Sequence, residues 1–130
     1  MKSFKQFILE KSLAGEDGDL IQHQGGRIDI HTNPKFAPRK QSVIDFVVPE
    51  EQRGKGLGHI LLQKAMDKHK DLGAQVSSLA SLTVFHNKGF RNPNIPKGSF
   101  DDHKKEFAEN GGSLFVARND NDGNPYIKVK

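Results

Sequence analysis

Residues 43–58 constrain the fold of this chain more than any other segment. A β-branched, apolar run ends at Pro49, a basic loop with glycines at alternating positions follows, and a helical pattern begins near His59. Proline cannot donate to a sheet ladder, so the strand has to end there. Glycines let a ligand approach the backbone, and the N–H groups at a helix N-terminus attract phosphate. This order of elements predicts a phosphate-binding turn between a strand and a helix.

Two common nucleotide motifs do not fit this loop. A P-loop requires Ser or Thr after Gly-Lys, whereas Gly56 follows Lys55 here. A dinucleotide-binding loop requires a third glycine, and that position is His59 counted from Gly54, or Leu61 counted from Gly56. The pattern that fits is Arg-x-x-Gly-x-Gly. A tight turn with glycines chosen for steric reasons is the alternative.

The fitting pattern consists of Arg53, Gly56 and Gly58, with Val-Pro-Glu before it and Leu-Leu after it. It resembles the acetyl-CoA-binding motif of the GNAT N-acetyltransferase superfamily. Residues 81–90 are similar to a second family segment, Ala-x-x-Leu-Tyr-Glu-Lys-x-Gly-Phe. The resemblance implies an α/β (α+β) GNAT fold with a mixed, mostly antiparallel central sheet and helices on both faces. It also implies acetyl-CoA as co-substrate and an amine acceptor that attacks the thioester directly.

The resemblance also implies which positions bind the cofactor. In the family, the loop amides hold the CoA pyrophosphate and the preceding strand hydrogen-bonds the pantetheine arm. A family asparagine and a family tyrosine fall at Ser78 and Phe85. The implied cofactor-binding residues are Val47, Val48, Arg53, Gly54, Lys55, Gly56, Leu57, Gly58, Ser78 and Phe85.

The chain departs from the family in its catalytic and acceptor parts. Phe85 replaces the tyrosine commonly assigned to protonate the departing thiolate, and Ser78 is shorter than the family asparagine. The strand before Ser78 is short, and Gly25-Gly26 leaves room only for a tight turn where the family has two helices. The N-terminal half is therefore reduced. The acceptor cleft is either open, rebuilt from residues 91–99, or completed by a second subunit in a homodimer.

Two residues are candidates for proton transfer. Asp45 interrupts an apolar strand just before the predicted pantetheine stretch, where partial desolvation favours a carboxyl group that accepts a proton. A salt-bridged or edge-facing aspartate is the equal alternative. His86 is adjacent to Phe85 and is the candidate acid, with an ordinary surface position as the alternative. A thiol has a pKa of about 8.5, so the thiolate leaves without much assistance near neutral pH.

Periodicity and turn residues predict the remaining elements. They comprise a hairpin over residues 20–31, a strand over 42–48, a helix over 59–72 with Gly73 as its C-cap, a strand over 74–78, a helix over 79–88, a loop over 91–99, a helix over 101–110 and strands over 114–117 and 126–129.

Composition excludes several other kinds of site. Without cysteine there is no disulfide and no thiolate metal site, and the histidines lack paired ligand spacing. Residues 120–124 resemble a calcium loop without its distal glutamate, so a hairpin turn is favoured and no metal is predicted. The net charge of +4 is scattered, which disfavours nucleic acid. No apolar run reaches the length of a membrane span, and a cytoplasmic location is expected.

The first ten residues resemble the propeptide of proteins packaged in tailed-phage proheads, which a phage protease cuts after a Leu/Ile-x-Glu triplet. Ile8-Leu9-Glu10 fits that triplet. Residues 1–14 are therefore interpreted as an amphipathic segment or propeptide, and residues 15–130 as one GNAT-like domain. The alternative function is a catalytically weak or inactive phage internal protein carried in the virion. An ordinary helix packed on the sheet is the alternative for the segment.

Overall fold

The computed structural model describes residues 11–32 and 41–118 of the 130-residue chain. The described strands are β1 (Gly18–His23), β2 (Gly26–His31), β3 (Gln41–Val47), β4 (Leu72–Val76) and β5 (Leu114–Ala117). The described helices are α1 (Leu57–Lys68), α2 (Leu79–Asn87) and α3 (Phe100–Glu109), and short 3₁₀ turns cover Gly15–Asp17 and Glu50–Gln52.

The strands form one sheet in the order of the sequence, from β1 to β5. The β3–β4 pair is parallel, and the other three neighbouring pairs are antiparallel. Parallel neighbours need a crossover connection, and α1 supplies it between β3 and β4. The predicted mixed, mostly antiparallel α/β sheet is therefore confirmed.

The β1–β2 hairpin turns at Gln24 and Gly25, which have φ of 49° and 84°. Two positive φ values in a two-residue loop match the right-handed twist of the strands. The predicted turn is thus shifted by one residue, and Gly26 belongs to β2. A Cβ atom on Gly26 would lie 2.9 Å from Leu61 Cδ1 and 3.0 Å from the Val47 carbonyl oxygen. Glycine at this position lets α1 pack directly on the hairpin.

Helices α1 and α2 pack on the sheet face that carries Ile28 and Phe46. The ring of Phe46 meets Phe85 of α2 edge-on at a centroid distance of 5.6 Å, and Phe85 meets Phe90 at 5.0 Å. Phe85, Phe90 and Ile28 are all buried. These side chains anchor α2 beside β3, where both cavities described below are found.

The end of α1 and the start of β4 differ from the prediction. The helix ends at Lys68, with His69 as its C-cap, so Gly73 does not cap it. Gly73 instead lies in β4, where it pairs with Ser42 on one side and Ala117 on the other. A glycine after a helical pattern signals a C-cap only when the chain leaves the helix there. Here the chain had already entered a buried strand.

The second half of the chain follows its prediction closely. Helix α2 matches the predicted span, and α3 begins with a capping box in which Ser99 and Asp102 bond each other's backbone N–H. Gly111 and Gly112 follow α3 with φ of 76° and 88°. Residues 91–99 form a loop, as predicted.

Several predictions fall outside the described residues. They are the helix or propeptide at residues 1–10, the loop at 33–40, the hairpin turn at 120–124 and the strand at 126–129. The proposed domain boundary after residue 14 also stays a prediction. Within residues 11–32 and 41–118, no helix is long and apolar enough to cross a membrane.

His103 of α3 fastens the loop at residues 91–99. Its ring is fully buried, and Nε2 accepts a hydrogen bond from the Asn92 N–H at 2.9 Å. Nδ1 lies 2.9 Å from the Ser99 carbonyl oxygen, so Nδ1 carries the proton. Burial lowers the pKa of His103 and Arg91 adds to this, whereas the hydrogen bond to the Ser99 carbonyl and the charges of Asp102 and Glu106 oppose it. The ring is therefore neutral in the folded protein.

We expect acid to destabilise the fold through His103. A histidine whose folded pKa is lowered stabilises the fold above its unfolded pKa of about 6.5, and this contribution is lost as the pH falls through the folded pKa. Urea unfolding from about pH 7.5 to about pH 5 should give a falling free energy of unfolding. His103→Gln should be less stable at neutral pH and should flatten this dependence, while His23→Gln should keep it. Parallel profiles for both variants would contradict the assignment.

Candidate active site

Strands β3 and β4 separate after three paired positions. The paired residues are Gln41 with Leu72, Ser42 with Gly73 and Val43 with Ala74. On its other side β3 stays paired with β2 as far as Val47, but the register shifts by one residue. Asp29 faces Asp45 and Ile30 faces Val43, which leaves Ile44 as the extra residue of a β-bulge. The bulge lies where the pairing with β4 ends.

The gap between the two strands holds a cavity of about 170 Å³. Phe46, Val76 and Phe85 line it from the helix side, whereas Asp45 and Gln75 belong to the alternating positions of the opposite face. Residues from both faces therefore line one cavity. The cavity at the gap is thus bordered by the side of α2 and by the side of Asp45.

A larger cavity of about 580 Å³ lies beside the glycine loop. It is lined by Phe46, Val48, Gln52, Arg53, Gly54, Gly56, Leu57, Gly58, His59, Ser78, Ala80, Ser81 and Val84. Phe46 and Ser81 also line the smaller cavity. The two cavities are therefore adjacent, and together they are called the groove, with the loop at one end and the gap between the strands at the other.

At one end of this groove, the loop and the first turn of α1 carry backbone N–H groups for which the described residues show no partner. Gly54 and Gly56 have φ of 79° and 82°, which favours glycine, and Gly56 is the N-cap of α1. Glycine has no side chain with which to cap the helix, and the first turn holds no acidic residue. The first intrahelical bond runs from Ile60 N–H to the Gly56 carbonyl. The preceding N–H groups and the helix dipole are thus available to an anion.

Most of the predicted cofactor residues meet at this end of the groove. The Arg53 Nε–H lies 3.4 Å from the Val48 carbonyl oxygen and joins the loop to the end of β3. Lys55 is exposed beside the loop, outside the cavity lining. Val47 is also outside the lining, and it pairs with Arg27 of β2.

Ser78 and Phe85 lie in different parts of the groove. Ser78 is the N-cap of α2, and its Oγ accepts the Ser81 N–H at 3.1 Å and donates to Ser81 Oγ at 2.9 Å. It lines the larger cavity. Phe85 lines the smaller one and is held between Phe46 and Phe90. The position of the family tyrosine is therefore at the gap, occupied by an apolar ring.

Asp45 lies at the gap and is also salt-bridged. Arg27 contacts the same carboxylate oxygen, Oδ2, through both Nε and Nη2 at 2.8 Å. The two residues are diagonal neighbours across β2 and β3, a spacing that long side chains span. The salt-bridged alternative for Asp45 is therefore observed, and the carboxylate also lines the cavity, whereas its role as a base stays a prediction.

His86 does not join the groove. Its ring packs against Phe100 and His103 of α3 at centroid distances of 5.7 and 4.9 Å, and Nε2 lies 3.2 Å from the Gly98 carbonyl oxygen. The ring is half-buried, burial lowers its pKa, and it lines neither cavity. Adjacent helical residues face different directions, and Phe85 already takes the direction of the cavity. The structure thus gives no support to His86 as the acid.

Four polar residues were not predicted from the sequence. Gln75, Ser77 and Ser81 line the gap, and nothing in their local sequence marks them. Asp29 is almost fully buried and accepts hydrogen bonds from Ser12 Oγ at 2.5 Å and from the Leu13 N–H at 2.7 Å. Its place in an alternating apolar strand was a signal for a buried, partnered carboxylate. Among the described residues, no cluster of three or more potential metal ligands occurs.

The site thus combines a strand that leaves its parallel neighbour, a glycine loop and a helix N-terminus, an arrangement that can bind a phosphate-bearing ligand. Residues 12–92 match the model of the acetyltransferase (GNAT) family, and the chain belongs to that family. The predicted family and fold are thereby confirmed, as is acetyl-CoA as the co-substrate expected for the chain.

One solved structure shows the same fold. It is N-acetylglutamate synthase from Neisseria gonorrhoeae, complexed with coenzyme A and N-acetyl-glutamate, with a TM-score of 0.50 and 18% sequence identity. The similarity covers 91% of this chain and only 28% of the synthase chain. At this identity the likeness concerns the fold alone. No curated protein matches the sequence significantly.

Gly58→Ala should weaken CoA binding without disturbing the fold. A Cβ atom there would lie 3.4 Å from Val84 Cγ2 and 3.6 Å from Phe46 Cζ, which is ordinary contact distance. Alanine also favours a helix over glycine. The added methyl group would occupy the wall of the larger cavity, so we expect CoA affinity in calorimetry to fall about tenfold, or about 1.4 kcal/mol. The exposed α1 residue Lys64 provides the control variant Lys64→Ala. Unchanged affinity in Gly58→Ala would contradict this location.

Proposed function

We propose that this protein transfers the acetyl group of acetyl-CoA to the nitrogen of an amine by direct attack on the thioester. The observation that carries the proposal is the pair of adjacent cavities between the N–H groups of the α1 N-terminus, which have no partner among the described residues, and the gap between β3 and β4. A cofactor with phosphate at one end and a thioester at the other requires such a path. Membership in the acetyltransferase family supports the same reaction.

The cofactor half of the reaction follows from this groove. The loop from Arg53 to Gly58, which carries the positive charges of Arg53 and Lys55, would hold the pyrophosphate. The pantetheine arm would extend along the edge of β3 that has lost its partner β4. N–H groups near Val47 and Val48 would stabilise the negative charge that develops on the thioester oxygen.

The chemical half requires a neutral amine and a departing thiolate. The amine nitrogen forms a bond to the acetyl carbon, the carbon–sulfur bond breaks, and its electron pair stays on sulfur. We assign the proton released by the amine to Asp45, whose Oδ2 is held by Arg27 while Oδ1 has no protein partner among the described residues. Phe85 has no proton to give, so the thiolate leaves unassisted or takes its proton from water.

Asp45→Asn should remove the base and keep the cofactor site. We expect kcat/KM to fall about 10²- to 10⁴-fold, the usual contribution of general base catalysis. Affinity for CoA should stay unchanged in calorimetry, since Asp45 lies at the gap. Asp101→Asn, on the exposed first turn of α3, serves as control. Turnover equal to that of the unaltered protein would remove Asp45 from the mechanism.

Phe85→Tyr tests whether the absent acid limits the rate. The hydroxyl group would be added at a ring that lines the gap, and we expect turnover near neutral pH to rise about tenfold, below the full range of acid catalysis because a thiolate leaves readily. Phe90→Tyr adds the same group to a neighbouring buried ring outside the cavity lining. A gain in both variants, or in neither, would contradict a role for position 85.

A second candidate function is a GNAT-like protein that binds CoA with little or no turnover. Phe85 and the reduced N-terminal half favour it. Packaging in a phage virion depends on residues 1–10, which lie outside the described residues, so it stays a prediction from the sequence. Thiol release with any physiological amine would reject the inactive alternative.

A further inference from the structure

Residues on the face of the sheet opposite α1 and α2 indicate the class of acceptor. The gap opens on this face beside Asp45 and Gln75, and the Gln75 amide donates a hydrogen bond to Ser113 Oγ at 2.6 Å. The cavity of about 170 Å³ has room for only a few non-hydrogen atoms, since a water molecule takes about 30 Å³ of liquid volume. The rest of an acceptor would therefore lie outside the gap, on this polar face.

Arg27 gives this face a cation with spare hydrogen-bond donors. A guanidinium group has five N–H donors, and Arg27 uses Nε and Nη2 on Asp45. The described residues provide no acceptor for its Nη1, and 48% of the Arg27 side chain is exposed. The nearby carboxylate of Asp29 is buried under Ser12 and Leu13, so it is closed to a ligand. An incoming carboxylate thus has a free partner at Arg27.

We propose that the acceptor is a small α-amino acid whose carboxylate binds Arg27 while its amine is directed to Asp45; this inference rests on the proposed function. Arg27 and Asp45 are in contact at 2.8 Å, so a ligand that pairs with both must carry its own opposite charges close together. An α-amino acid does so. A polyamine or a lysine side chain would instead bring positive charge without a carboxylate for Arg27 to bind.

The experiment compares each standard amino acid with its primary amide in a thiol-release assay with acetyl-CoA. The amide keeps the amine and removes the negative charge. For the amino acids that serve as acceptors, we expect kcat/KM to be about 10- to 100-fold higher than for their amides. This ratio corresponds to the free energy of one hydrogen bond to a charged group. Arg27→Gln should abolish this preference, Arg27→Lys should retain part of it, and Lys64→Gln should leave it intact. The acid-to-amide ratio separates carboxylate binding from any effect of Arg27 on Asp45.

Thermal shifts of the CoA complex distinguish the possible failures. Stabilisation of the CoA-bound protein by amino acids and not by their amides would support the inference even at low turnover. Three results would overturn the inference while CoA still binds: an equal thermal shift with acids and amides, no shift with either, or a preference for acids that persists in Arg27→Gln. Each of them would leave the proposed cofactor site unaffected. Absence of CoA binding would overturn the proposed function, and the inference with it.

Discussion

The separation of β3 from β4 after Val43 is the constraint on which the site depends. Strand β3 stays paired with β2 as far as Val47 and carries Ile44 as an extra residue, so it cannot follow β4. The result is both a cavity lined from the two faces of the sheet and an edge of β3 that no longer pairs with β4. Buried backbone N–H and C=O groups require partners. A ligand with amide groups of its own, such as the pantetheine arm, can supply them.

The two ends of the groove are fixed by the same hairpin. Helix α1 packs on the hairpin of β1 and β2 through the close contact of Leu61 with Gly26, and this contact sets the position of the loop at the α1 N-terminus. The bulged strand is hydrogen-bonded to the same β2. The distance between the loop and the gap is therefore set by one hairpin, and so is the proposed distance between the phosphate and the thioester of the cofactor. Such preorganisation lowers the cost of aligning the reactants.

The parts of the site that were predictable depend on local chemistry. Pro49 ends a strand and glycines allow positive φ, so the strand, loop and helix could be read directly from the sequence. The predictions that were wrong concern the direction in which the chain or a side chain points and the contacts between distant segments. Gly73 resembled a C-cap because nothing local reveals that β4 has already begun. His86 and Phe85 share one helical segment, and only the packing of α3 decides which faces the gap. The bulge at Ile44 has no sequence signal, so the surroundings of Asp45 could not be foreseen.

Two carboxylates lie close together on the face of the sheet that carries Asp45, and the fold provides each of them with different partners. Asp29 and Asp45 lie opposite each other in the β2–β3 register, and like charges at such positions destabilise a sheet. Ser12 and Leu13 supply donors to Asp29, which satisfies its buried carboxylate. Arg27 neutralises Asp45 from the exposed side instead and leaves it accessible. Two aspartates in equivalent positions thus acquire different roles, because one is covered by the N-terminal segment and the other by a solvent-accessible arginine.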